Sequence, residues 1–182
     1  NLAGFDPEQH SVAPAEWQPI DRWVMDQAAT LADQVADGYE SYRFHQAVLP
    51  IYQFCVVTLS ATYLDILKDR LYTFAPESQP RRAAQTVVYL LANALIRWLA
   101  PVLPFTTEEA WQHLPGQELD SVHLAEFEDL SAFRLPDDMR AEFEALIALR
   151  DSVLAALEKA REGDLIGSSL EASVFVRVLS PE

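Results

Sequence analysis

The chain has 182 residues, half of them hydrophobic, with five glycines and a formal net charge of −15. That size suits one domain, or one domain with an extension, and it supplies enough apolar residues for a substantial core. The composition favours an ordered, helix-rich globule over a disordered or repetitive chain, while a lone cysteine, Cys55, excludes an intrachain disulfide framework and fits a reducing compartment.

Residues 1 to 19 contain Pro7, Pro14, Pro19 and Gly4 and read as an irregular lead-in. Position 1 is not Met and no basic-then-apolar leader follows, so the sequence reads as an excised piece or a processed product. From Asp21, the apolar positions Val24, Ala28, Leu31, Val35, Tyr39 and Tyr42 step by three and four. The spacing predicts an amphipathic helix to about Tyr39, with Gly38 loosening its end. The same period continues through Phe44, Val48, Ile51, Tyr52, Cys55, Val56, Leu59, Tyr63, Ile66 and Leu67. Pro50 should kink this second helix or delay its start, and Ser60-Ala61-Thr62 is a candidate second break. Asp65, Lys68 and Arg97 interrupt the apolar segments, so none reaches the roughly 18 residues of a membrane span and no membrane partner is expected.

Thr73 to Pro80, TFAPESQP, reads as a loop. Ala84, Val87, Val88, Leu91, Ala94, Leu95 and Trp98 then mark a third helix, whose wide apolar face suits the central member of a bundle. Pro101 and Pro104 end it. Thr106 with Glu109 fits a capping box and predicts a short helix from about Thr107 to His113, stopped by Pro115-Gly116. Gln117 to Pro136 is acidic and irregular. Phe143, Leu146, Ile147, Arg150, Val153, Leu154 and Leu157 mark a last long helix closing near Gly163, and residues 172 to 178 alternate as a lone strand. The predicted organisation is a lead-in at 1–19 and a helical region over 20–163, followed by a lone strand that needs a partner.

No catalytic constellation stands out. His10, His45, His113 and His123 are scattered without HExxH or C-x-x-C spacing, so no metal site is expected, and no Gly-rich phosphate loop or G-x-S-x-G elbow is present. Cys55 lies on an apolar stripe and reads as a small core residue rather than a nucleophile. Asp65 and Asp69 share a helix face. The preferred reading is a bond from Asp65 to Lys68 and a solvated face, rather than acid–base work.

The charge is unevenly distributed. Residues 1–42 sum to −7, residues 43–100 to +3 and residues 101–182 to −11. A broad basic face is therefore excluded, but a local anion site in the middle section is not. Four cations, Lys68, Arg70, Arg81 and Arg82, flank TFAPESQP. Cations at a helix start oppose the macrodipole, whereas an anion there would be held by free N–H groups and the arginines together. The competing reading pairs Arg81 and Arg82 with Glu77 or another acid. Tyr72 and Phe74 are placed to offer stacking faces to unpaired bases, or to pack.

The runs YLDILKDRLY (63–72), RRAAQT (81–86) and RWLAPVLPFTTEEAW (97–111) resemble the anticodon-binding helical domain of class Ia aminoacyl-tRNA synthetases. AP-x-LPFT-x-EE-x-W marks only the class, whereas YLDI-x-KDR-x-Y resembles the isoleucyl branch. NLAGFDP (1–7), YRFHQAV (42–48) and R-x-x-V-x-x-ALEKAR with IGSSLEA (150–172) extend the likeness over nearly the whole chain.

The resemblance implies an all-α anticodon-binding bundle over 20–163, with 164–182 as the start of a truncated C-terminal subdomain, from a cytoplasmic, monomeric enzyme that attaches isoleucine to tRNA(Ile) with ATP and magnesium. The catalytic and editing domains would be its partners in the longer chain. The HIGH and KMSKS signatures and the editing domain are absent, as is the cysteine-ligated zinc module in which bacterial members often end, so no cofactor is expected in this piece. Lys68, Arg70, Arg81 and Arg82 would contact phosphates or bases of the anticodon stem-loop, and Phe74 would stack. The alternative is a non-catalytic helical protein-interaction module whose acidic surfaces meet a basic partner.

Overall fold

A computed structural model describes residues 2–177. The chain divides into two units, Asn1–Leu135 and Pro136–Glu182, a division that falls inside the 20–163 span expected as one bundle.

In the first unit the lead-in is more than irregular chain. It contains a single turn α1 (Pro7–His10) and a 3-10 turn (Pro14–Glu16). Asp6 caps α1 by accepting from the Glu8 N–H at 2.9 Å. Phe5 and Trp17 from this stretch are buried. Phe5 packs on Tyr89 and Leu114, and Trp17 stacks on Phe133 at 5.4 Å while its indole N–H donates to the Val12 carbonyl. Two aromatics therefore anchor a segment whose prolines prevent a long helix.

α2 (Pro19–Glu40) starts with Pro at its first position, which costs no hydrogen bond there. Gly38 does not loosen its end. The glycine is buried where the following helix crosses, and a Cβ built on it would lie 2.8 Å from the Ala47 nitrogen. Its role is close helix approach.

α3 (Phe44–Gln53) includes Pro50, and the chain then runs without interruption into a π-helical segment (Phe54–Tyr63) and α4 (Leu64–Ile66). The expected break at Ser60-Ala61-Thr62 is instead a change of helical register. The Thr62 hydroxyl donates to the Val57 carbonyl, five residues back, at 3.1 Å. The uninterrupted helix Phe44–Ile66 is 23 residues long and its most apolar 18-residue window has mean hydropathy 1.5, long and apolar enough to cross a membrane by length and composition, which corrects the expectation that no segment is. Its inner side, Ala47, Ile51, Phe54, Leu59 and Tyr63, is buried in the core.

α5 (Lys68–Tyr72) leads to a short loop, and α6 (Gln79–Leu99) follows two residues earlier than the proline-bounded loop suggested, with Pro80 in its first turn. Ala83, Ala84, Val87, Leu91, Ala94 and Trp98 bury the face of α6. The Tyr39 hydroxyl donates to the Trp98 carbonyl at 2.7 Å, fixing the ends of α2 and α6 side by side.

α7 (Pro104–His113) is not capped by Thr106 and Glu109, both of which are exposed within the helix. Pro104 starts it, and the Thr107 hydroxyl donates back to Leu103 at 2.9 Å. Glu108 serves the following segment instead, accepting from the Ser121 hydroxyl and the Val122 N–H. Two 3-10 turns (Val122–Leu124 and Ser131–Phe133) punctuate the acidic stretch. Leu135 N–H donates to buried Asp26 at 2.8 Å.

The second unit is built on α8 (Asp137–Glu162). Acids occupy its first turn and Lys159 and Arg161 its last, matching the helix dipole, and Gly163 follows its end. No α8 residue is fully buried. Among the described residues no strand forms. Residues 172–177, part of the expected strand, are irregular, with Val174, Phe175 and Val176 exposed and no neighbouring strand to supply ladder bonds. Val178 lies outside the described residues.

Candidate functional site

The four cations flank a loop shortened to residues 73–78, and the fold treats each of them differently. The loop is tied at both ends. The Thr73 hydroxyl and N–H donate to Asp69, and the Ser78 N–H donates to Ala75.

Arg70 turns inward. Its Nη1 and Nη2 donate to the two carboxylate oxygens of Asp21 at 2.9 and 2.8 Å, and Nη2 and Nε donate to the Pro80 carbonyl at 2.7 and 3.2 Å. Tyr63 donates its hydroxyl to Asp21 at 2.8 Å, and Asp21 also accepts the Gln18 N–H. One buried carboxylate thus joins the start of α2, the π-helical segment, α5 and, through Arg70, the first turn of α6. Burial pushes the Tyr63 phenol well above its usual range, with the Asp21 charge adding to it and Arg70 opposing.

Arg82 is also buried. Its Nη2 donates to both Glu77 oxygens at 2.8 and 2.9 Å, and its Nη1 donates to the Gly4 carbonyl and to Gln85. The bond from Arg82 is the main reason that the Glu77 carboxyl lies below its ordinary range. Arg82 therefore ties the lead-in and the loop to α6.

Arg81 is half-buried, and its Nη1 donates to the Phe74 carbonyl at 3.0 Å. Among the described residues it is the one cation of the 43–100 section without a carboxylate partner. Arg43, Lys68, Arg70, Arg82 and Arg97 pair with Asp37, Asp65, Asp21, Glu77 and Glu128. Phe74 is 40% exposed. Lys68 is exposed and bonded to Asp65, three residues back in α4, at 2.7 Å, the pair expected from the spacing. The structure therefore brings Arg81 and Phe74 together at the loop rim, keeps Lys68 on the outer surface of α5 and takes Arg70 and Arg82 into the interior.

Asp21, Tyr63 and the Pro80 carbonyl were not legible as site residues. Asp21 stands where a solvated helix-start acid is ordinary, and nothing local in the sequence signals that its carboxylate is completely buried. Arg81 can hold an anion and Phe74 can present a ring face, but neither can supply acid–base or nucleophilic chemistry. Cys55 is half-buried and its thiol is raised by burial, away from the reactive thiolate. Among the described residues, no group of three or more His, Cys, Asp and Glu side chains could hold a metal ion.

A family described as the anticodon-binding domain of tRNA ligase matches residues 21–176. The isoleucine–tRNA ligase of Alkalilimnicola ehrlichii is 45% identical over 177 residues, covering 96% of this chain and 19% of that protein. The isoleucine–tRNA ligase of Methylococcus capsulatus is 44% identical over 177 residues, with the same coverages. That of Dichelobacter nodosus is 45% identical over 181 residues, covering 98% of this chain and 19% of its own length. The chain spans about one fifth of the length of these relatives.

Proposed function

Because the chain belongs to the family of anticodon-binding domains of tRNA ligases, we propose that it docks the anticodon stem-loop of tRNA(Ile) as part of a monomeric, cytoplasmic isoleucine–tRNA ligase. The similarity to isoleucine–tRNA ligases over 96% of the chain supports the choice of tRNA. Binding of ATP and magnesium, aminoacylation and editing fall to other parts of such a polypeptide.

The observation that carries the docking site is Arg81. A guanidinium with no carboxylate partner, held by the Phe74 carbonyl at the rim of a short braced loop, is positioned for a phosphate. Lys68 exchanges its exposed Asp65 partner for a second phosphate at little cost, since solvent screens such surface pairs. Phe74 offers a half-exposed ring to an unpaired base. Arg70 and Arg82 act through the loop that they brace rather than by touching RNA.

The test is a titration of labelled tRNA(Ile) against the ligase at several salt concentrations. Arg81→Ala should weaken binding and reduce the log–log salt slope by about one. Unchanged affinity and slope would remove Arg81 from the site.

A further inference from the structure

The outer face of the Phe44–Ile66 helix belongs to no site described so far. Residues 44–64 include no Asp, Glu, Lys or Arg, although the chain's 23% charged content would place about five in such a stretch. Only 33% of the most apolar window of this helix is buried. Leu49, Tyr52, Val56 and Val57 are 56%, 64%, 45% and 61% exposed. Beside them, a cleft of about 400 Å³ against α2 is lined by Gln27, Thr30, Gln34, Gln53, Val57 and Thr58, with no charge among its walls. In a chain of net charge −15, an uncharged exposed face of this extent marks a surface that something covers.

Chemistry narrows the occupant. Nucleic acid needs Lys or Arg to neutralise phosphates, and this face has neither. A bilayer needs an apolar circumference, but the opposite side of the helix is committed to α2, closely enough that Gly38 has no room for a Cβ beside Ala47. A second copy would have to compete with whatever lies in the same chain, where tethering supplies effective concentrations of about millimolar. The relatives carry this domain as about one fifth of a longer polypeptide. Contacts between domains of one chain are more polar than obligate interfaces, as a face mixing glutamines with aliphatics requires.

We infer that this face packs against an uncharged surface of an adjoining domain in the same longer polypeptide. Aliphatic side chains of that domain fill in around Leu49, Tyr52 and Val56, and its main-chain or amide groups pair with Gln27, Gln34 and Gln53. The inference rests on the reading of the chain as part of a ligase.

Hydrogen exchange of residues 44–64 tests it, compared between the 182-residue chain and the ligase polypeptide. Exchange should be at least tenfold slower in the ligase. Tyr52→Glu, or the milder Leu49→Gln, should leave the thermal midpoint of the isolated chain within a degree or two while speeding proteolytic release of the domain from the ligase several-fold. Equal exchange in both contexts overturns the inference. So does a dimer of the isolated chain that Tyr52→Glu dissolves, or flotation of the chain with phosphatidylcholine vesicles. A tRNA(Ile) titration on the same ligase keeps the two readings apart: slow exchange without tRNA binding preserves the covered face and removes the RNA-docking role.

Discussion

Arg70 and Asp21 lie 49 positions apart and meet as a two-pronged ion pair, Nη1 to Oδ1 at 2.9 Å and Nη2 to Oδ2 at 2.8 Å, with side chains only 7% and 0% exposed. Removing one member leaves an uncompensated buried charge. Asp21→Ala or Arg70→Met should therefore cost about 3–5 kcal/mol in urea unfolding. The double variant should lose clearly less than the sum of the two, because no orphan charge remains. Additive losses would show that the pair is not coupled.

Tyr63 contributes the third bond to that carboxylate. Tyr63→Phe should destabilise by about 1.5–3 kcal/mol, the range for hydrogen bonds to charged groups. The folded phenol is raised above its ordinary 10.0, so its contribution is complete below that pH and is lost as pH rises through the folded value. In thermal melts the gap between wild type and Tyr63→Phe should be flat through neutrality and narrow only under strongly alkaline conditions.

Glu108 behaves in the opposite sense. Bonds from Gln112 first and then Ser121 hold its carboxyl below the ordinary 4.5. A depressed group contributes stability above its unfolded value and loses it as pH falls through the folded one. Glu108→Gln should lower the melting temperature at pH 6–8, and the difference should close as pH falls below about 4.5. A difference that persists at low pH would mean that Glu108 acts by packing alone.

The difference between Glu108 and Glu109 illustrates what the sequence does and does not carry. Helical period located α2, α6 and α8 because their apolar faces repeat every three to four residues whatever they pack against. The Thr106–Glu109 capping pattern failed because Pro104 already starts that helix, and only the fold shows that Glu108 faces Ser121. The π-helical register of 54–63 leaves an apolar pattern close to that of an ordinary α-helix and is set by packing. At the loop, charge counting singled out four cations but could not separate half-buried Arg81 from buried Arg82. Those adjacent residues point to different surroundings, and Arg82's partners include Gly4, 78 positions away.

Gly38 offers a test of helix approach. A Cβ there would lie 2.8 Å from the Ala47 nitrogen and 3.0 Å from its Cβ, so α2 and α3 would have to separate. Gly38→Ala should destabilise by about 1–3 kcal/mol despite the helix propensity gained. A stabilised variant would show that the crossing relaxes at no cost.

Arg81 and Arg82 give the discriminating pair. Arg82→Ala strands the buried Gln85 side chain, takes the donor from the Gly4 carbonyl and releases Glu77, so it should cost about 1–3 kcal/mol of stability. Arg81→Ala gives up one bond to a loop carbonyl and should stay within about 0.5 kcal/mol. For tRNA(Ile) the order changes in kind. Arg81→Ala should reduce the salt slope by about one, because a phosphate contact is lost. Arg82→Ala should weaken binding at every salt concentration with the slope kept, because the loop loses its brace while the contacting charge remains. Calorimetry and salt-dependent titration on the same two variants decide the matter, and a slope change confined to Arg82→Ala would reverse the two roles.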